Sequence, residues 1–252
     1  MIQKKAPTPQ LIYGLRPVIE ALDSGTAIER VYLQKGLTGS LAGELAARLR
    51  QSELPVQYVP IEKLDKLTHG NHQGVVATIA AITYRQFTDL AESEQPPQLV
   101  LLLDHITDVR NMGAIARTAE CTGAGALIVP DRGSAAIGPD AIKTSSGALL
   151  RLPVCRESNL KTLLNLAKQY GYQVVAATEK GAIHYRQVDF THPTLLILGN
   201  EETGVSPDLL KMSDLRAKLP IVGNVSSLNV SVAAGVFMYE ALEQNAHRLA
   251  LP

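Results

Sequence analysis

The chain has 252 residues, 46% of them hydrophobic and 19% charged, with 24 basic and 24 acidic side chains. This fits one large or two ordinary globular domains, excludes a membrane span because no apolar run reaches ~18 residues, and excludes a global basic footprint for nucleic acid. Cys121 and Cys155 lie in no paired-cysteine motif, which argues against a disulfide framework or a zinc cluster and suits a reducing cytoplasm.

Met1–Pro7 is expected to be no secretory leader, because no apolar segment follows Lys4 and Lys5. Leu11–Gly14 is a short apolar piece ended by glycine. Pro17 then suits a first helical turn, with Val18, Ala21 and Leu22 on one face. Arg30–Leu33 predicts a strand, Leu41–Arg50 a helix with Leu41, Leu45, Ala46 and Leu49 inward, and Val56–Val59 another strand. Ile61–Leu67 is a short helix, His69–Gly74 a turn, and Val75–Ile82 an apolar strand. This alternation predicts a small α/β domain over residues 1–85. His69 and His72 have no Cys, Asp or Glu at ligand spacing within that turn, so no metal site is expected. Residues 86–98 are polar, carry Pro96 and Pro97, and lack periodicity, which predicts a linker or an ornamented surface segment.

From residue 99 to 252 the pattern is again strand and helix in turn. Strands are expected at Leu99–Leu103, Ala126–Pro130, Gln173–Thr178, Leu195–Gly199 and Leu219–Val222. Helices are expected at Ala114–Thr122, from Ala141, at Leu160–Tyr170, at Pro207–Met212, and from Asn229 through Val236 and Leu242. Such alternation predicts a mostly parallel sheet covered on both faces, with ligands held beyond the carboxyl ends of its strands. No Gly-x-Gly-x-x-Gly follows the first strand, which argues against a nicotinamide oxidoreductase.

Three polar loops fall at strand ends. The first carries Asn111, Gly113 and Arg117; its plain reading is a helix cap with a surface arginine. The second is Gly199-Asn200-Glu201-Glu202-Thr203-Gly204, whose Glu201 is suited to orienting an arginine or to lying in a solvated loop. The third, Ser226-Ser227-Leu228-Asn229, opens a helix for which Ser227 or Asn229 serves as cap, and Ala233-Ala234-Gly235 lets that helix pack closely on a neighbour.

Together these loops resemble, in order and spacing, the three motifs of the SpoU (TrmH) family of RNA ribose 2′-O-methyltransferases in the SPOUT superfamily. Ile12-Tyr13-Gly14, Val18–Leu22 and His72–Ala77 resemble the substrate-binding domain of its RlmB-like rRNA branch, which is similar to small ribosomal-protein folds. Val109-Arg110 departs from the family pattern, where proline commonly follows the aspartate. The resemblance implies a deep trefoil knot in the C-terminal domain, a homodimer formed through it, and S-adenosylmethionine as cofactor. It implies catalytic roles for Arg117, held by Asn111 and Glu201, with Ser227 and Asn229 completing the site. It places the cofactor against Thr178, Gly199, Asn200, Glu201, Ile221, Leu228 and Asn229. It implies a guanosine of 23S rRNA as substrate; transfer RNA, or a non-catalytic role as an RNA-binding assembly factor, are the alternatives. Arg110, Arg132, Lys143 and Arg151 are candidate phosphate contacts, with solvated surface charge as the other reading.

Overall fold

The computed structural model describes residues 11–246 except Gly25, Glu53 and Ala80, so the expectation for Met1–Pro7 lies outside the described residues. Contacts divide the chain into two units. One runs to Thr83 and includes Ala136–Asp140; the other comprises Tyr84–Ala135 and the chain from Ala141 on.

The first unit contains β1 (Leu11–Tyr13), α1 (Leu15–Asp23), β2 (Ile28–Gln34), α2 (Ser40–Gln51), β3 (Val56–Val59), α3 (Ile61–Leu67) and β4 (Val75–Ile79). Its sheet has the order β1-β4-β2-β3, with β4 antiparallel to β1 and β2, and β2 parallel to β3. Strand alternation sends Val31, Leu33, Val75 and Ala77 into one core with Val18, Ile19 and Leu45 of α1 and α2. Val76 and Val59 lie in a smaller cluster with Leu64 of α3. His72, in the turn before β4, is a buried structural residue. Its Nδ1 accepts from the Gly74 N–H at 3.0 Å, and its Nε2 lies 2.9 Å from Asp65.

The second unit opens with α4 (Phe87–Ala91), followed by β5 (Leu99–Asp104), α5 (Val109–Cys121), β6 (Ala126–Pro130), α6 (Pro139–Thr144, of which Pro139 and Asp140 count with the first unit), β7 (Val154–Glu157), α7 (Leu160–Gln169) and β8 (Gln173–Ala177). After these come β9 (Ile183–His184), β10 (Thr194–Gly199), α8 (Pro207–Met212), β11 (Leu215–Lys218) and α9 (Val230–Gln244). The strands form one seven-stranded sheet of order β7-β6-β5-β10-β8-β11-β9, and each recorded pairing within it is parallel. All six residues of β5 are buried, as expected of a strand covered on both faces. The strand order reverses between β5 and β10, so the crevice for a ligand lies above Asp104 and Gly199, which pair across the two strands.

Two expectations are corrected. The expected linker 86–98 belongs to the second unit: Phe87 is 1% exposed, and its ring meets Tyr170 and Tyr172 edge-on at 6.4 and 5.6 Å. The Tyr172 hydroxyl donates to Pro97 O at 2.8 Å. A five-residue helix is too short to show periodicity, and one aromatic anchor supplies the burial. The expected strand Leu219–Val222 is an exposed loop, with Val222 99% accessible. The strand is the preceding β11, less apolar in sequence, which reaches β8 on one side and β9 on the other.

Candidate active site at the end of the parallel sheet

Helix α5 starts earlier than its apolar pattern suggests. Asp108 is its cap, accepting from the Arg110 N–H at 2.7 Å. Asn111, expected as the cap, sits instead in the first turn, 8% exposed. Two residues on, Gly113 lies under the segment that ends α6; a Cβ there would come within 2.6 Å of Thr144 Cβ. Helix and segment approach so closely that only glycine fits.

Gly199 ends β10 and turns the second loop back on itself. A Cβ on it would lie 2.1 Å from the Val205 backbone nitrogen. The loop is closed by Gly204 N–H to Asn200 O at 2.8 Å, while Asn200 Oδ1 accepts from the Glu202 N–H at 2.8 Å. This fold projects Glu201 toward α5. In the third loop, Asn229 caps α9: its Oδ1 accepts from Ser231 N–H at 3.0 Å and Ser231 Oγ at 2.6 Å.

Because the oxygen of Asn229 is committed to the cap, its Nδ2 must face the other way. It donates to Glu201 Oε1 at 2.6 Å and to Asn111 Oδ1 at 3.0 Å. Asn111 Nδ2 completes the triangle, donating to the same Glu201 oxygen at 2.8 Å. One carboxylate oxygen therefore ties the ends of three elements through charge-assisted bonds, the stronger class.

Arg117 does not join this triangle. Six residues beyond Asn111 on α5, it is turned about 120° around the helix and displaced about 9 Å along it. It is exposed and has no hydrogen-bond or ion-pair partner among the described residues. The expectation that Asn111 and Glu201 hold Arg117 is thus corrected within one chain: those two residues hold each other and Asn229.

Beside the triangle is a cavity of about 310 Å³. Of the residues the resemblance places against the cofactor, Thr178, Gly199, Asn200, Glu201, Ile221 and Leu228 line it and Asn229 does not; Ser227, implied as catalytic, lines it too. Sequence reading missed Glu179, Glu202, Ala233 and Phe237, which also line it. The last two lie four residues apart on α9, a spacing that puts them on one face.

The four candidate phosphate contacts are all exposed. Arg110 pairs with Asp108 at 2.9 Å, Arg132 with Asp131 at 3.8 Å, and Arg151 with Glu120 at 3.2 Å. Lys143 has no acidic partner among the described residues. Exposed pairs of this kind contribute little, about 0–1 kcal/mol, so a phosphate can compete for the arginines. Hydrogen bonds from Arg110 hold the Asp108 carboxyl below its ordinary value and raise the guanidinium in turn. Among the described residues no group of three or more His, Cys, Asp or Glu side chains could hold a metal ion, and no helix is long and apolar enough to cross a membrane.

Residues 98–239 match the profile of the SpoU rRNA Methylase family, more than half of the chain. The chain belongs to that family of RNA ribose 2′-O-methyltransferases. Residues 11–85 match a second profile, RNA 2′-O ribose methyltransferase substrate binding. A relative from Staphylococcus haemolyticus, named as a TrmH family tRNA/rRNA methyltransferase, is 36% identical over 91% of this chain and 94% of its own. Among solved structures, the AdoMet-bound rRNA methyltransferase from Sinorhizobium meliloti aligns with 95% of this chain and 88% of its own, at 26% identity and a TM-score of 0.60. The A. aeolicus TrmH/SpoU tRNA modifying enzyme aligns with 64% of this chain and 82% of its own, at 31% identity and a TM-score of 0.56.

Proposed function

We propose that this protein transfers a methyl group from S-adenosylmethionine to a ribose 2′-hydroxyl of RNA, with a guanosine of 23S rRNA as the target. The observation that carries the reading is the Asn111–Glu201–Asn229 triangle bordering the cavity at the sheet's switch point. The cavity suits the cofactor in size, being in the range of small-molecule sites. It also suits it in charge: Glu179, Glu201 and Glu202 border it, complementing a ligand that carries a sulfonium and an ammonium, and Lys180 is available to the ligand's carboxylate. Leu219, Ile221, Leu228 and Phe237 supply apolar surface. Thr178, Gly199, Asn200, Ile221 and Leu228 would hold it.

When bound, S-adenosylmethionine supplies a methyl activated on positive sulfur, leaving the protein mainly to position and activate the hydroxyl. The hydroxyl proton would leave to a substrate phosphate or to water as O2′ takes up the methyl that the cofactor would supply. A guanidinium offers donors and no acceptor, so Arg117 acts as a donor: it stabilises the developing alkoxide or holds the phosphate that takes the proton. Glu201 Oε1 already accepts two amide donors and serves as an anchor for the loops.

The enzyme works as a homodimer. Val232 (52% exposed) and Tyr239 (56%) leave an apolar strip along α9, and Thr118, the neighbour of Arg117, lies against Gly235 of the same helix. A second copy seated on this strip would bring Arg117 toward that copy's Glu201 loop, which accounts for an arginine standing apart from the triangle of its own chain. The C-terminal domain carries the trefoil knot; the insertion of β10 between β5 and β8 and the return of α9 onto α5 are consistent with it. The protein is cytoplasmic, in keeping with its two unpaired cysteines.

Ribosomal RNA is favoured by coverage: the relative named as an rRNA enzyme aligns with 95% of the chain, and the one named as a tRNA enzyme with 64%. The test is transfer of labelled methyl from S-adenosylmethionine to 23S rRNA and to bulk tRNA, by wild type and Arg117→Ala. Label on a ribose 2′-oxygen of rRNA, lost in the variant, is the expected result. Label on tRNA alone overturns the substrate but keeps the chemistry; no cofactor binding leaves the non-catalytic RNA-binding role.

A further inference from the structure

At the carboxyl end of β5 the backbone does something that no sequence motif announces. His105 has φ of 59°, in the left-handed region. A non-glycine residue there is strained, and strain of this kind is retained where surrounding contacts depend on it. The reversed backbone points the His105 carbonyl at Asn200, whose Nδ2 donates to it at 2.9 Å. It also folds the imidazole back onto Asp104, with Nδ1 2.6 Å from Oδ1. The carboxylate only accepts, so Nδ1 carries the proton. The ring packs so closely on Gly133, at the turn after β6, that a Cβ there would meet its Cδ2 at 2.5 Å.

Asp104 is 1% exposed, and its second oxygen accepts from the Ser206 N–H at 2.7 Å. Two consecutive residues therefore fasten both ends of one loop: His105 holds Asn200 and Asp104 holds Ser206. Between those ties lies Glu201, the apex of the triangle, and Gly199–Gly204 line the cavity. Asn200 is the internal organiser of the loop through Glu202 N–H and Gly204 N–H, so its tie to His105 is transmitted to the whole turn.

We infer that His105 is a positioning residue: together with Asp104 it sets the loop that presents Glu201 and shapes the ligand cavity. The inference rests on the proposed S-adenosylmethionine site. If His105 served only to satisfy the buried Asp104, its loss would lower stability without singling out this loop.

The variants are His105→Gly, which relieves the backbone but removes the ring, and His105→Asn, which tolerates the left-handed region and keeps a donor. Amide hydrogen exchange on the unliganded protein is read alongside equilibrium binding of S-adenosylmethionine. In His105→Gly, exchange at Glu202, Thr203, Gly204 and Ser206 should quicken about tenfold and cofactor Kd should rise about tenfold, the scale of one charge-assisted bond. The amides of β5 and β10 should hold their wild-type rates, and His105→Asn should recover most of both changes. Unchanged loop exchange, or acceleration spread evenly through β5 and β10, would overturn the inference. Should His105→Gly fail to fold, Ser206→Pro removes the other tie at a residue whose φ of −53° accepts proline; the same loop-confined acceleration is expected, and wild-type exchange there counts against it. Because exchange is read without ligand, a wild-type protein that binds no cofactor refutes the proposed function and still leaves the loop tie decided.

Discussion

Asn229 Nδ2 lies 2.6 Å from Glu201 Oε1, while Asn229 Oδ1 caps the first turn of α9. One amide thus does two things, and they can be separated. Asn229→Asp keeps the capping oxygen but sets a second carboxylate against Glu201; Asn229→Ala loses both. Melting of the Asp variant should stay near wild type, while the Ala variant should lose about 1 kcal/mol from the cap. Methyl transfer should fall about a hundredfold in both, the scale of a misplaced site. Near-normal turnover in the Asp variant would mean that the triangle is incidental.

Arg117 is exposed and has no hydrogen-bond or ion-pair partner among the described residues, so Arg117→Ala should alter stability by less than about 0.5 kcal/mol. Turnover should drop by about 10²–10³-fold. Arg117→Lys should remain poor, because lysine lacks the fork geometry. Mixing inactive Arg117→Ala with inactive Glu201→Gln tests the homodimer: recovered turnover is expected if the arginine serves a neighbouring copy's site, and none if each chain works alone.

Phe87 tests where the second unit begins. Buried among Tyr170, Tyr172 and the sheet, its replacement by alanine should cost about 3–5 kcal/mol. Urea unfolding followed by a probe in each unit should show the loss in the second. An effect below 1 kcal/mol would return residues 86–98 to a linker.

Asp108 predicts a pH signature. Its carboxyl is held below the ordinary value, first by the Arg110 side chain and then by the Arg110 backbone N–H. A group with a depressed folded pKa contributes stability above its unfolded value, about 3.9, and loses it as pH falls through the folded value. Asp108→Asn keeps a capping oxygen but drops the charge, so melts from neutral pH downward should show a constant gap to wild type that closes below about pH 4. A gap that persists in acid would assign the effect to packing.

The cysteines should differ sharply toward a thiol reagent. Burial, with help from Glu157 and Asp89, pushes the Cys155 thiol up to about 12, whereas Cys121 is exposed. The native protein should titrate one fast thiol, removed by Cys121→Ser.

What the sequence determined by itself was local or periodic. The apolar runs of β5, β6, β8 and β10 announced buried parallel strands, which in turn put the loops of Asn111, Glu201 and Ser227 at one end of the sheet. The turn at Asn229 announced a capped helix. The tertiary structure alone decided what those loops do to one another. The bonds from Asn111 to Glu201 and from Asn229 to Asn111 span 90 and 118 residues, and no local preference encodes a pairing at that separation. It also decided that α4 anchors through a single phenylalanine, and that β11 rather than the more apolar Leu219–Val222 enters the sheet. A strand is fixed by the neighbours available to its backbone, and hydropathy along the chain does not record them.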